Sequence, residues 1–137
     1  MSSNIKIIHA HEFIKASFEG KLDIDETKKM LLEIVSVSEK MCDYEIIMDI
    51  RKAHLVMTAS DIWHLASELS KFRKTFTRKT AILCPFEQYE FDQASFFALC
   101  SQNKGLEVCT FTSYGEAMEW LIEDMTLIKN PESVSSL

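Results

Sequence analysis

Tyr44-Glu45-Ile46-Ile47-Met48-Asp49-Ile50-Arg51 is an apolar run that ends in an acid and a base, and a helix signal opens seven residues after it at Thr58-Ala59-Ser60-Asp61. Three large apolar residues in a row, Ile46 to Met48, leave neither face of a strand polar. That is the pattern of a strand covered by helices on both sides of a sheet. The spacing predicts a central strand over Tyr44 to Ile50, an irregular segment after Arg51 up to Met57, and then a helix. In that helix Ile62, Leu65, Ala66, Leu69 and Phe72 or Phe76 mark the buried face. Thr58 paired with Asp61, or Ser60 itself, is placed to cap it.

Upstream, Ile5 to Ile8 and Phe13 to Phe18 are rich in β-branched and aromatic residues, and Phe13, Lys15, Ser17 and Glu19 alternate with Ile14, Ala16 and Phe18. These predict two opening strands, a hairpin. Gly20-Lys21-Leu22 leads to Asp23, which with Glu26 three residues on has the spacing of a capping box. Met30, Ile34, Val37 and Met41, with Leu31 and Val35 beside them, give the first helix a wide apolar stripe.

Downstream, Lys79 to Cys84 reads as a strand that Pro85 stops. Phe91 to Cys100 reads as a helix apolar almost all round, ended by Gly105 in a left-handed conformation. Leu106 to Phe111 is the last strand, and Ser113 with Glu116 opens a final helix through Ala117, Met118, Leu121, Ile122 and Met125. The expected fold class is therefore α/β, a single domain over 1–128 with the order β-β-α-β-α-β-α-β-α. Its mixed sheet carries parallel later strands joined by right-handed crossovers, with helices packed on it, and 129–137 is a flexible tail.

Met48-Asp49-Ile50-Arg51, Thr80-Ala81-Ile82-Leu83, and Leu106-Glu107-Val108-Cys109-Thr110-Phe111 followed by Glu116-Ala117-Met118-Glu119-Trp120-Leu121 together resemble the SpoIIAA-like family. This is a group of STAS-type domains related in fold to the CRAL-TRIO lipid-binding domains, and the resemblance spans nearly the whole chain. It implies a non-catalytic regulatory or protein-interaction module, or, through the CRAL-TRIO side, a small carrier of a hydrophobic or lipid-like ligand. Anti-sigma-factor antagonists of that group carry a phosphorylatable serine in an Asp-Ser-Ser-Gly stretch after the aspartate-ending strand. Here the matching region is Met57-Thr58-Ala59-Ser60: Thr58 offers a hydroxyl, Met57 replaces the acid and the glycine is missing, so a kinase-driven switch does not carry over.

Composition bounds the function classes. The chain has 137 residues, 47% hydrophobic and 26% charged, with a formal net charge of −6, the usage of one globular domain. An acidic field disfavours nonspecific attachment to phosphate backbones, so nucleic acid is not an expected partner. No run approaches the roughly 20 apolar residues of a membrane span and no secretion signal opens the sequence, so a cytoplasmic location is expected. Cys42, Cys84, Cys100 and Cys109 stand far apart without a C-x-x-C pair and read as reduced structural thiols. With only three glycines, neither a P-loop nor a dinucleotide fingerprint can be built.

Candidate sites follow. Thr58 and Ser60, with Asp49 and Arg51 at the preceding strand end, form an interaction or anion-binding candidate, since a helix start presents free N–H groups; capping alone also accounts for these residue types. Trp63, Phe91, Phe96 and Phe97 are candidates for an apolar pocket or a self-association face, a homodimer being the favoured state, against the alternative of a well-filled core. Lys71, Arg73, Lys74, Arg78 and Lys79, five of 15 basic residues, form a candidate landing patch or a set of helix-end cations. His9 and His11 share a strand face but lack a distant ligand, His54 and His64 lack a nucleophile partner, and the acids near Asp23 and Glu87 read as caps. No catalytic residue, metal or cofactor is expected.

Overall fold

In the computed structural model the backbone is described over residues 6–10, 13–39, 44–72, 76 and 79–129, and side chains over 13–39, 44–72, 76 and 79–122. Five strands and four helices follow one another as β1 Lys6–Ala10, β2 Phe13–Leu22, α1 Ile24–Ser38, β3 Glu45–Leu55, α2 Ala59–Ser70, β4 Thr80–Leu83, α3 Gln88–Asn103, β5 Val108–Phe111 and α4 Tyr114–Lys129. The strands lie in one sheet in the order β1-β2-β3-β4-β5. β1 and β2 form an antiparallel hairpin, and β2 to β5 run parallel. The expected element order and the central place of β3 both hold.

Adding parallel strands one after another in a single direction has a consequence for the helices. Right-handed crossovers then all pass over the same face. The larger core accordingly joins Ile14, Ala16 and Phe18 of β2 and Ile46, Met48 and Ile50 of β3 to buried residues of α1, α2 and α3. A second, smaller core, Ile47, Ala81, Leu83, Ala117 and Leu121, lies under α4 on the opposite face. β3 is buried on both faces from Glu45 to Met48, as its unbroken apolar centre requires. α4 packs mainly on β4 and β5, reaching β3 at Ile47 and β2 at Phe13, so the second face of β2 and β3 is half-covered at Lys15 and Ser17 and open to solvent at Glu19 and Arg51.

β3 does not end near Ile50, as the sequence led one to expect. It runs on to Leu55, paired with the end of β2 from Glu19↔Lys52 to Leu22↔Leu55, after a register shift between Ser17 and Glu19. That shift leaves one extra residue on β3, a β-bulge, and Arg51 and Lys52 are both exposed while Ala53 and Leu55 return to the core. The buried positions thus move from even numbers (46, 48, 50) to odd (53, 55). On β2, next to the bulge, Gly20 takes φ 100°, a conformation a side chain would strain. β4 pairs β3 only from Ile46 to Asp49, so the last part of β2 and β3 projects as a two-stranded arm.

The helix signals are met in part. Asp23 Oδ1 accepts from the Glu26 amide at 2.9 Å, but Glu26 turns instead to Lys29, so only half of that box forms. α2 carries the full box, Thr58 Oγ1 accepting from Asp61 N and Asp61 Oδ2 from Thr58 N, both at 3.1 Å. α3 is longer than expected and closes at Gly105, φ 87°, where the amides of Gly105 and Leu106 reach back to Gln102 O and Ser101 O, a Schellman motif. The tail beyond 129, with Cys42 and His11, lies outside the described residues.

Candidate functional site

The carboxyl edge of the parallel strands gathers the most chemistry. From β3 the chain passes Val56 and Met57 to the capped start of α2, where Thr58, Ala59 and Ser60 are all exposed. Gln93 of α3 ties the neighbouring helix to this turn, donating from Nε2 to Met57 O at 2.7 Å and lying 3.0 Å from the Tyr89 hydroxyl. His54, on the projecting arm, meets Glu90 in the first turn of α3, Nδ1 to Oε2 at 3.0 Å, with the Glu90 carboxylate buried and the imidazole open to water. Around these polar groups stand three exposed apolar side chains, Val56, Tyr89 and Phe86, the last 87% exposed. A phenylalanine so fully in water at a strand-to-helix loop is unused by the fold.

The sequence reading grouped Asp49 and Arg51 with Thr58 and Ser60, and the structure separates them. Asp49 and Arg51 point to the open sheet face, opposite Met48 and Ile50, whereas Thr58 and Ser60 begin a helix of the other face. Arg51 grips Asp49 from Nε and Nη2 at 2.9 and 2.8 Å and from its backbone N–H at 3.2 Å. Lys15 approaches from β2 at 3.8 Å, its Nζ also 5.2 Å from the Tyr114 ring centroid. Burial alone would raise the Asp49 carboxyl, but the Arg51 hydrogen bonds and the two positive charges outweigh it and hold the group below the usual carboxylate range.

A depressed carboxyl stabilises the fold above its unfolded-state value of about 3.9 and ceases to do so as pH falls through its lower folded value. Asp49→Asn is therefore expected to be less stable than the wild type at pH 7, with the gap closing in urea titrations as the buffer is taken below about pH 4. The gap should be on the order of 1 kcal/mol, because Arg51 remains 42% exposed and solvent screens the pair. A pH-independent gap would contradict this.

The four apolar candidates do not form one pocket. A cavity of about 50 Å3 lies between the sheet and α1 to α3, lined by Met30, Met48, Met57, Leu65 and Phe97 among others, and of the four only Phe97 reaches it. Phe91 is half-buried against the core. Trp63 is half exposed under the Lys104 ammonium, 5.2 Å from its ring centroid, and Phe96 lies on the outer side of α3 at 37% exposure.

The basic landing patch also loses a member. Lys79 is buried, its Nζ donating to Trp120 O at 2.8 Å and standing 4.8 Å over the Trp120 ring, while Lys71 pairs with Glu68; Arg73, Lys74 and Arg78 lie outside the described residues. Burial pushes the Cys84 thiol up to about 12, as an inert core thiol requires. Among the described residues no group of three or more His, Cys, Asp or Glu is placed to hold a metal, and no helix is long and apolar enough to cross a membrane.

The His54–Glu90 contact escaped the sequence. Glu90 reads there as one of several first-turn acids, and His54 falls in what looks like a loop. Only a strand carried through to Leu55 brings the two together.

No protein-family model matches the chain, and no curated protein does. Solved structures match it in three dimensions. One is an uncharacterized protein of the DUF3478 family with a SpoIIAA-like fold from Shewanella loihica PV-4, 14% identical over 88% of this chain and 94% of that one, with a TM-score of 0.57. Another is the anti-sigma factor antagonist SpoIIAA in its unphosphorylated form, 12% identical over 85% and 96%, with a TM-score of 0.50. At such identities the likeness is one of architecture: the chain has a SpoIIAA-like fold.

Proposed function

We propose that this protein is a non-catalytic, STAS-like regulatory module of the cytoplasm that docks another protein at the carboxyl edge of its sheet, on the surface formed by Thr58, Ser60, Tyr89 and Phe86. The observation that carries this reading is Phe86, 87% exposed in the loop between β4 and α3, one residue before the N-cap of α3, Glu87. Exposed aromatics on a fixed frame are what partner surfaces use as anchors.

The polar groups of the edge are already engaged in holding its shape. Thr58 Oγ1 caps α2, His54 Nδ1 is held by Glu90 and Gln93 bridges two elements. Asp61, inside the cap, sets a carboxylate at the helix start and repels an anion that would settle there, so the edge suits a protein surface better than a phosphate. The similarity of fold to an anti-sigma factor antagonist favours a regulatory partner. A carrier role finds little support among the described residues, where the cavity over the sheet of about 50 Å3 and a second hollow of about 80 Å3 between α1 and α2 fall well short of the roughly 300–1,000 Å3 of small-molecule sites.

Quantitative co-purification from the native cell tests the docking surface. Phe86→Asp is expected to reduce capture of the cognate protein by about tenfold or more with an unchanged melting temperature. Thr58→Ala, which also removes the cap, is expected to cost about 1 kcal/mol in urea unfolding. Equal recovery with wild type and Phe86→Asp would refute the edge as the docking surface.

A further inference from the structure

α3 is built inside out. Its buried side is made largely of small or polar residues, Glu90, Ala94, Ala98 and Ser101 with Phe97 and Cys100, which let the helix lie close to the sheet. Ser95 and Gln102 add polar contacts to β5, at Thr110 and Val108 O. Its outer side carries Asp92, Phe96, Leu99 and Asn103, all exposed, at successive steps of four, three and four residues. Leu99 is 54% exposed, and Trp63 of the adjoining α2 is 50% exposed. Large apolar side chains on the outer side of a helix are the kind that gain from cover, and among the described residues nothing buries Phe96 and Leu99.

The charges along the outer side indicate what the cover is. The amino-terminal half of α3 bears Asp92, and Lys104, the residue that ends the helix, stands at the other end with its ammonium held over the exposed Trp63. The stripe is therefore complementary to itself when reversed. A two-fold axis between Phe96 and Leu99 sets Phe96 against Leu99 of a second copy and Asp92 toward the Lys104 of that copy. It also opposes the two helix dipoles, so that each positive end meets a negative one. A closed, self-complementary contact of this kind is the commonest form of homo-oligomer.

We propose that the outer face of α3, flanked by Trp63, is the self-association surface of the protein, and that a second copy packs its own α3 antiparallel upon it. The face is separate from the Phe86 edge, so each can fail without the other.

Sedimentation velocity of the full chain over a concentration series tests it. The wild type is expected to dimerise. Phe96→Glu, an exposed position whose replacement should leave the far-UV circular dichroism unchanged, is expected to raise the dimer dissociation constant by about tenfold or more. Lys104→Glu and Asp92→Lys should each weaken the dimer, and the combined Lys104→Glu/Asp92→Lys chain should recover most of the loss, since the swap restores opposite charges across the axis. A wild type that stays monomeric up to its solubility limit overturns the proposal and leaves the stripe to a different protein. A dimer indifferent to Phe96→Glu, or a charge swap that weakens it further, overturns it as well.

Discussion

Leu65→Ala is expected to lower the unfolding free energy by about 3–5 kcal/mol, the largest loss we foresee from a single truncation. Leu65 sits in the middle of α2 at 1% exposure and lines the cavity of about 50 Å3 between the helices and the sheet. Its removal would not make an isolated void that neighbours could close. It would enlarge an existing one whose walls, Met48, Ile50 and Ile82, are held by the sheet. The cost of a truncation grows with the volume left empty, which places this one in the upper part of the leucine range. Urea unfolding at neutral pH measures it; a loss below about 2 kcal/mol would mean that α2 is not anchored as described.

Lys79→Met is expected to cost about 2–3 kcal/mol, the upper part of the scale for a lost hydrogen bond to a charged group. Lys79 is 5% exposed, precedes β4, and reaches across to Trp120 of α4 both as donor to the backbone and as cation over the ring. Methionine keeps the length and the packing of the stem while removing the charge. Because this link joins α4 to the sheet beside the smaller core, the variant should lose hydrogen-exchange protection first over Ala117 to Leu121. Uniform loss across α1, α2 and α4 would contradict a local tie.

The architecture was legible wherever hydrophobic period and burial kept in phase. Ile46-Ile47-Met48 announces a strand covered on both faces, the alternation from Phe13 to Phe18 announces one covered on a single face, and Gly105 announces the end of α3. It became illegible where backbone geometry moved the phase. The bulge at Arg51 carries the buried positions of β3 from even to odd numbers, so a strand reaching Leu55 looked like a loop after Arg51; β2 keeps its even phase as far as Leu22, but Gly20 reads in the sequence as the end of the strand. Two features of the site were hidden by that. The contact of His54 with Glu90 could not be seen, and Asp49 and Arg51 seemed neighbours of Thr58, because a strand end presents both faces of a chain to one edge and a continuing strand does not.

Charge and aromatic clusters misled for a different reason. Lys79 belongs by number to a basic run, yet the sheet carries it inward to Trp120, and proximity in sequence says nothing about which of two neighbouring cations is buried. In α3 the signal was present, since nearly every turn holds an aromatic or a leucine, but period alone cannot tell which side the small residues Ala94, Ala98 and Ser101 commit to the core. Thr58 with Asp61 was read correctly, because a capping box is local chemistry.

The docking edge is tested most directly by a photo-reactive amino acid introduced at Ser60, compared with the same group at Ser36 on the exposed side of α1, in otherwise full-length protein irradiated in its native cell. A discrete covalent adduct with another protein is predicted at position 60, absent at position 36 and suppressed by Phe86→Asp. No adduct at 60, or the same adducts at both positions, would contradict the carboxyl edge of the sheet as the surface through which this protein acts.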